Sequence, residues 1–114
     1  MNIDSFIYLD RVRKIAMQLP GVTESTCFGT PAFYVNKKLF ARMKEKGDVL
    51  VIHTIEREIW MKKDYNTFFI TDHYKNYSYM LIALATVGTT DLKTLITSAW
   101  RNRAGKKLLK EWEI

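Results

Sequence analysis

Few residues of the kinds that form covalent or metal-dependent sites occur in this chain. Its 114 residues include one cysteine, Cys27, and two histidines, His53 and His73. A single cysteine cannot form a disulfide within the chain, which is typical of proteins from a reducing compartment. His73 lies beside Asp72, but no third ligand stands at a spacing that suits zinc. We therefore expect no disulfide framework, no metal and no other cofactor.

The chain also lacks a long apolar run and a secretory leader. Its longest apolar stretch, Tyr79 to Val87, is far shorter than the ~20 residues that cross a bilayer. The first four residues, Met1-Asn2-Ile3-Asp4, show neither the basic start nor the apolar segment of a signal peptide. These absences predict a cytoplasmic protein that does not associate with membranes.

Catalytic motifs are equally sparse. No glycine-rich loop of the Walker or dinucleotide-binding type appears. Cys27 and His53 fall on different predicted strands and could meet in space, but the flanking residues do not support a Cys–His nucleophile. A lone cysteine is more often a small buried side chain. The sequence predicts that the protein is not an enzyme.

Apolar side chains and positive charge are what the chain does have. Apolar residues make up 47% of it and aromatic residues 13%, enough for one domain of this length to bury a core. The net charge is +6, and it is concentrated in residues 36–65 and 93–114. Such basic segments suit nucleic acid, acidic lipid or acidic protein partners, although they also occur on ordinary basic domains.

Apolar periodicity predicts three helices. A first helix has the apolar face Tyr8, Val12, Ile15, Ala16 and Leu19 and is ended by Pro20-Gly21. A short helix, Ile55–Lys63, follows Thr54 as its N-cap. The last helix has the apolar stripe Leu92, Leu95, Ile96, Ala99 and Trp100. We expect Gly105 to end this helix and residues 106–114 to form a short amphipathic tail.

Five strands are predicted between these helices. They are Ser25–Phe28 joined to Ala32–Val35 across a bend at 29–31, then Lys38–Glu45, Asp48–Thr54, Thr67–Thr71 and Tyr79–Ala85. In Lys38–Glu45 strict alternation places Phe40 with the charged side chains on the outer face, although Phe33 and Phe40 are most simply interpreted as core or inter-layer packing residues. The order α-β-β-β-α-β-β-α predicts a single α+β domain over residues 1–114. We expect a five-stranded antiparallel sheet with the N- and C-terminal helices packed on one face.

Several short motifs occur together along this order. They are Leu19-Pro20-Gly21, Phe28-Gly29-x-Pro31-x-Phe33, Lys38-Leu39-Phe40-Ala41, Glu56 at a helix start, Tyr79-Met80-Leu81-Ile82, and Ser98 in the last helix. The set resembles the MmcQ/YjbR family of small bacterial proteins, which are commonly labelled DNA-binding. The resemblance implies the same α+β fold, similar to type III secretion chaperones. Two positions depart from it: Lys37 stands where the family usually has a turn glycine, and Tyr79 where it tends to have tryptophan.

Three segments are candidates for nucleic-acid binding. The candidate residues are Lys37, Lys38, Arg42, Lys44, Lys46, Lys75, Asn76, Tyr77, Arg101 and Arg103. Same-face side chains of the strand that begins at Lys38 repeat about every 6.6–6.8 Å, so a cationic row could follow a phosphate backbone. The loop 74–77 interleaves tyrosines with a cation, and the last helix ends in Arg101, Arg103, Lys106, Lys107 and Lys110. The resemblance implies that the 44–48 turn and the 74–77 loop flank a duplex as two wings. A solvated sheet face, a folded-back loop and a helix stabilised by terminal cations are the plainer interpretations.

The leading functional hypothesis is a non-enzymatic protein that binds DNA through phosphate contacts, largely without reading sequence. No predicted helix has the cluster of Arg, Asn and Gln that base-edge recognition requires. The alternative is a protein-interaction or homodimerisation module that does not bind nucleic acid. The positions of Leu109 and Trp112 distinguish the two hypotheses. These residues belong to the core if they dock on their own domain, and they indicate a protein partner if they are exposed. A third hypothesis is a small-ligand pocket lined by Phe33, Phe40, Trp60 and Tyr79.

Overall fold

The computed structural model describes residues 3–112 and shows an α+β fold. Its elements are α1 (Ile3–Ala16), β1 (Thr23–Cys27), β2 (Thr30–Val35), β3 (Lys38–Met43), β4 (Val49–His53), α2 (Arg57–Lys63), β5 (Phe68–Phe69), a 3₁₀ turn (Asp72–Tyr74), β6 (Tyr79–Ala83) and α3 (Thr89–Trp112). The strands form one antiparallel sheet in the order β1-β2-β3-β4-β6-β5. Across residues 3–112, no helix is both long enough and apolar enough to span a membrane.

The sheet has six strands rather than the predicted five, because β1 and β2 are a tight hairpin and not one bent strand. Cys27 pairs with Thr30, which leaves Phe28 and Gly29 as a two-residue loop. Both loop residues have positive φ, 54° and 77°, as the type I′ turn that suits twisted antiparallel strands requires. The Phe-Gly pair lacks the asparagine or aspartate that usually signals this turn at its first position.

A β-bulge in β3 overturns the predicted alternation of that strand. Phe33 pairs with Ala41 and Tyr34 pairs with Leu39, so Phe40 is an extra residue. Phe40 and Ala41 are consecutive, yet both are buried in the main core. The alternation that put Phe40 with the charged side chains on the outer face is therefore wrong, whereas its interpretation as a core residue is confirmed.

The bulge also separates the side chains of the predicted cationic row. Directly paired residues point to the same face of a sheet. Lys38 pairs with the core residue Val35, whereas Arg42 pairs with Val51, which belongs to a separate small cluster with Tyr74 and Leu81. Lys38 and Arg42 consequently lie on opposite faces, and no continuous row of cations runs along β3.

The main core lies between the inner face of the sheet and the helices α1 and α3. Its sheet residues include Leu50, Ile52, Met80 and Ile82, and its helical residues include Val12, Ala16, Leu92, Ile96 and Trp100. Trp100 is fully buried, and its Nε1 donates a hydrogen bond to the Pro20 carbonyl oxygen at 2.8 Å. This bond fixes the end of the first helical segment against α3, so both terminal helices cover the same face.

Helix α3 is broken at Gly105 and then resumes. Gly105 has φ 82° and ψ 164°, a conformation that is almost exclusive to glycine. Beyond the break, Leu108 approaches Gly21, and the Trp112 ring packs 5.5 Å from that of Trp100. Gly105 thus redirects the helix where we expected it to end. Glu113 and Ile114 of the predicted tail lie outside the described residues.

Candidate functional site

The candidate residues divide between the two ends of the sheet. Lys37 and Lys38 lie at the β2–β3 turn, whereas Lys44 and Lys46 lie at the β3–β4 turn. At about 3.3 Å per strand residue, the Cα atoms of Lys38 and Lys44 are roughly 20 Å apart. Residues 75–78 lead into Tyr79, which pairs with His53 at the end of β4 that lies away from the 44–48 turn. The two implied wings are therefore at opposite ends of the sheet.

The break in α3 brings two basic segments together at one of these ends. A methyl group added at Gly105 would lie 3.3 Å from the side-chain nitrogen of Asn36. Lys106 and Lys107, which follow Gly105, therefore stand close to Lys37 and Lys38, which follow Asn36. We name Lys37, Lys38, Lys106 and Lys107 the basic end. All four side chains are exposed, and none pairs with a carboxylate of residues 3–112.

Arg103 secures α3 to this end of the sheet. Its Nη2 donates to the Tyr79 hydroxyl at 3.2 Å, and that hydroxyl donates to the Leu39 carbonyl oxygen at 3.2 Å. The ring of His53 stands edge-on to that of Tyr79, with 5.4 Å between centroids. Burial, and secondarily the positive charge of Arg103, lower the pKa of His53. Arg103 thus packs α3 against the sheet, and its role as a phosphate contact stays a prediction.

Arg42 is also enclosed by the protein, with only 7% of its surface exposed. Its Nη1 donates to Thr30 Oγ1 and the Met43 carbonyl oxygen, both at 3.3 Å, and its Nη2 donates to the Tyr74 hydroxyl at 3.1 Å. The guanidinium also lies 5.4 Å from the centroid of the Phe28 ring. Arg42 joins the 3₁₀ turn and the β1–β2 loop to the sheet, so it is not free to meet a phosphate by itself.

The loop with Lys75, Asn76 and Tyr77 is held by Arg57, a residue that sequence reasoning missed. The Arg57 guanidinium donates to the carbonyl oxygens of Lys75 at 2.6 Å, Tyr77 at 2.7 Å, Tyr74 at 2.9 Å and Tyr79 at 3.2 Å. The side chains of residues 75–77 are exposed beside a cleft of about 330 Å³. Backbone acceptors leave no trace in a sequence, so no signal distinguished Arg57 from its neighbours.

The C-terminal segment docks on its own domain. Leu108 and Leu109 are partly buried against the main core. The Trp112 ring packs against that of Trp100, and the Arg101 guanidinium lies 4.7 Å from the centroid of the Trp112 ring. By the criterion set for these two residues, Leu109 belongs to the fold, whereas Trp112 contacts Trp100 and is still 36% exposed. The third hypothesis loses two residues, because Phe33 and Phe40 are fully buried and cannot line an open pocket.

The structure does not assemble the Cys–His pair. Cys27 lies on the edge strand β1 and His53 on β4, with two strands between them, so about 14 Å of sheet separates their strands. Within residues 3–112, no three side chains of His, Cys, Asp or Glu are grouped so that they could hold a metal ion.

The comparisons with known proteins agree with this architecture. The model of the YjbR family matches residues 17–102. The chain belongs to the YjbR family. A solved structure, that of Deinococcus radiodurans protein DR2400 with a DUF419 domain, superposes with a TM-score of 0.69 at 19% identity, covering 81% of this chain and 75% of that one. This likeness shows the fold alone. No curated protein matches the sequence.

The YjbR match confirms the resemblance inferred from the short motifs. It spans every strand and ends at residue 102, before Gly105, Lys106 and Lys107. Half of the basic end therefore lies beyond the residues that the family model matches.

Proposed function

We propose that this YjbR-family protein is a non-enzymatic, cytoplasmic nucleic-acid-binding protein that contacts phosphates through the basic end. The observation that supports this most directly is the approach of Gly105 to Asn36. It places two cationic pairs, separated by almost seventy positions in the sequence, on one surface. Four exposed ammonium groups, without carboxylate partners among residues 3–112, create a positive potential that attracts a phosphate backbone.

Lysine ammonium groups meet phosphates as point charges and read no base sequence. Binding is therefore non-specific, with a dissociation constant of about 10⁻⁴–10⁻⁶ M at physiological salt. Each phosphate contact on a duplex contributes roughly −0.9 to the slope of log K against log salt concentration, so four contacts give a slope of about −3.6.

Fluorescence anisotropy of a short labelled duplex, titrated at several salt concentrations, tests the proposal. The variant Lys38→Gln with Lys106→Gln removes two charges from the basic end. The control Lys62→Gln with Lys93→Gln removes the same charge from exposed positions elsewhere. We expect the slope to become shallower by about 1.8 in the first variant and to change much less in the control. Equal effects of the two variants, or no binding by the native protein at low salt, would contradict the proposal.

A second candidate function, protein interaction or homodimerisation, is favoured by the outer surface of α1. Ile3, Phe6 and Ile7 are adjacent on one side of this helix, and all three are exposed. Light scattering on the same protein samples distinguishes the two functions. A stable dimer that Phe6→Ser dissociates, together with absent duplex binding, would favour this second candidate.

A further inference from the structure

Phe28 is an aromatic residue whose position the stability of the fold does not explain. It is the first residue of the β1–β2 loop, and 84% of its surface is exposed. Its φ of 54° lies in the left-handed region, which is strained for a bulky side chain and favours glycine or asparagine. The ring therefore gains little from burial while the backbone is held in an unfavourable conformation. Strain of this kind is typical of positions kept for a function.

The surroundings of the ring indicate what it contacts. The guanidinium of Arg42 lies 5.4 Å from the ring centroid, and three hydrogen bonds fix that guanidinium inside the protein. The ring consequently rests against a rigid cation on one side and is open to solvent over most of its surface. Lys44 and Lys46 follow Arg42 at the same end of the sheet, in a turn that also contains Asp48 and Glu45, whose carboxylate lies 3.7 Å from the Arg42 guanidinium.

An aromatic ring next to cations is the combination with which proteins hold single-stranded nucleic acid, since bases stack on the ring and phosphates meet the cations. In a duplex both faces of each base are covered by its neighbours, so a ring at the tip of a hairpin loop has no free base face to stack on.

We propose that Phe28 is a stacking platform for an unpaired nucleobase, with Lys44 and Lys46 as contacts to the adjacent phosphates. Single-stranded nucleic acid is then the preferred ligand of this protein. The inference rests on the proposed function but concerns a surface at the opposite end of the sheet from the basic end. Arg42 acts here as a positioning residue, because it fixes the orientation of the ring without reaching solvent.

Phe28→Gly is the variant that tests the inference, because it removes the ring and relieves the strain together. Anisotropy is measured with a labelled oligothymidylate and with a labelled duplex, and thermal unfolding is followed in parallel. We expect the affinity for the single strand to fall roughly tenfold, within the range known for one base–aromatic stack. We expect duplex affinity to change less than twofold and the unfolding temperature to rise. Phe28→Tyr, which keeps a ring, should restore single-strand binding.

Each contrary result has a distinct meaning. If Phe28→Gly binds the single strand as tightly as the native protein while duplex binding persists, the inference fails and the proposed function stands. If the native protein binds neither oligonucleotide, the proposed function fails and the inference with it. A lower unfolding temperature for Phe28→Gly would show that the ring stabilises the fold and would also overturn the inference.

Discussion

At the scale of single residues, the β2–β3 turn shows how the backbone constrains a functional surface. Asn36 and Lys37 both have positive φ, 52° and 63°, and they form a two-residue loop between the paired residues Val35 and Lys38. Asparagine tolerates this region well, whereas lysine does not. Lys37 is thus a strained position that also belongs to the basic end.

Replacing Lys37 by glycine should stabilise the protein while weakening nucleic-acid binding. The left-handed conformation costs an L-residue about 1–2 kcal/mol, and the greater freedom of glycine in the unfolded chain offsets part of the gain. We expect the free energy of unfolding in urea to rise by about 0.5–1 kcal/mol. Lys38→Gly is the matched control, because it removes the same charge from a strand residue without positive φ and should destabilise. Equal changes in the free energy of unfolding of both variants would show that the effect of Lys37→Gly comes from the lost charge and not from relieved backbone strain.

His53 gives the stability of the fold a dependence on mildly acidic pH. Its pKa is lowered by burial and then by Arg103, so the unfolded chain binds the proton at a higher pH than the folded protein does. The contribution of His53 is therefore constant well above about pH 6.5 and is lost progressively as pH falls below that value. We expect the unfolding temperature to fall between about pH 7.5 and about pH 5.5, and to fall less in His53→Phe.

Carboxylates do not obscure this measurement. Hydrogen bonding to Arg13 holds the pKa of Glu24 below its ordinary value of 4.5. The stability that this carboxylate contributes is consequently lost only at a pH below 4.5, outside the range in which His53 titrates. An unchanged pH dependence in His53→Phe would assign the effect to another group.

At the scale of the elements, the break in α3 is the feature on which the basic end depends. Gly105→Ala introduces a side chain at a backbone φ of 82°, and its Cβ atom would lie only 3.3 Å from the Asn36 side-chain nitrogen. We expect a loss of about 1–3 kcal/mol in the free energy of unfolding. Duplex affinity should also fall, because Lys106 and Lys107 would no longer be held beside Lys37 and Lys38.

Gly88→Ala is the control for this prediction, since Gly88 has open space around it and no positive φ. Urea denaturation measures the stability of both variants, and acrylamide quenching of tryptophan fluorescence measures the exposure of Trp112. If Gly105→Ala behaves like Gly88→Ala, the break does not determine where the C-terminal segment docks.

The spacing of apolar residues predicted most of the helices and strands. The prediction failed where the backbone forms an unusual turn or a bulge. The stripe of α3, the Pro20-Gly21 stop and the β-branched run of β4 identified their elements because each buries one continuous face. Helix α2 begins at Arg57, two residues later than expected, since Thr54 Oγ1 accepts the Glu56 amide in a turn before the helix. The hairpin at Phe28-Gly29 and the bulge at Phe40 could not be predicted, because neither follows the usual residue preferences.

The sequence predicted which candidate side chains are accessible to solvent only where their place in a turn or at a strand end determines it. The lysines at positions 37, 38, 44 and 46 lie in turns or at strand ends, where charge is commonly exposed. Arg42 lies on the outer face of β3, as the alternation predicts, but Tyr74 of the 3₁₀ turn and the Phe28 loop enclose it there. That Asn36 and Gly105 approach each other is a tertiary fact that no local pattern in the sequence contains.

At the scale of the whole molecule, the two faces of the sheet differ in how they are covered. Helices α1 and α3 bury the inner face, whereas the outer face has a small cluster, Val51, Tyr74 and Leu81, beneath the 3₁₀ turn. The basic end and the Phe28 loop lie roughly 20 Å apart along the strands. Because the two surfaces share no residue, each can be altered with little effect on the other.

The strand order implies a sequence of events in folding. Strands β1 to β4 are neighbours in the chain as well as in the sheet, and the first two turns between them contain two residues each. Pairings of this kind form early, since short loops cost little entropy to close. Helices α1 and α3 cover the same face, yet in the sequence α1 precedes all six strands and α3 follows them. Their mutual packing closes the longest loop in the fold, so we expect the bond between Trp100 and Pro20 to form late in folding.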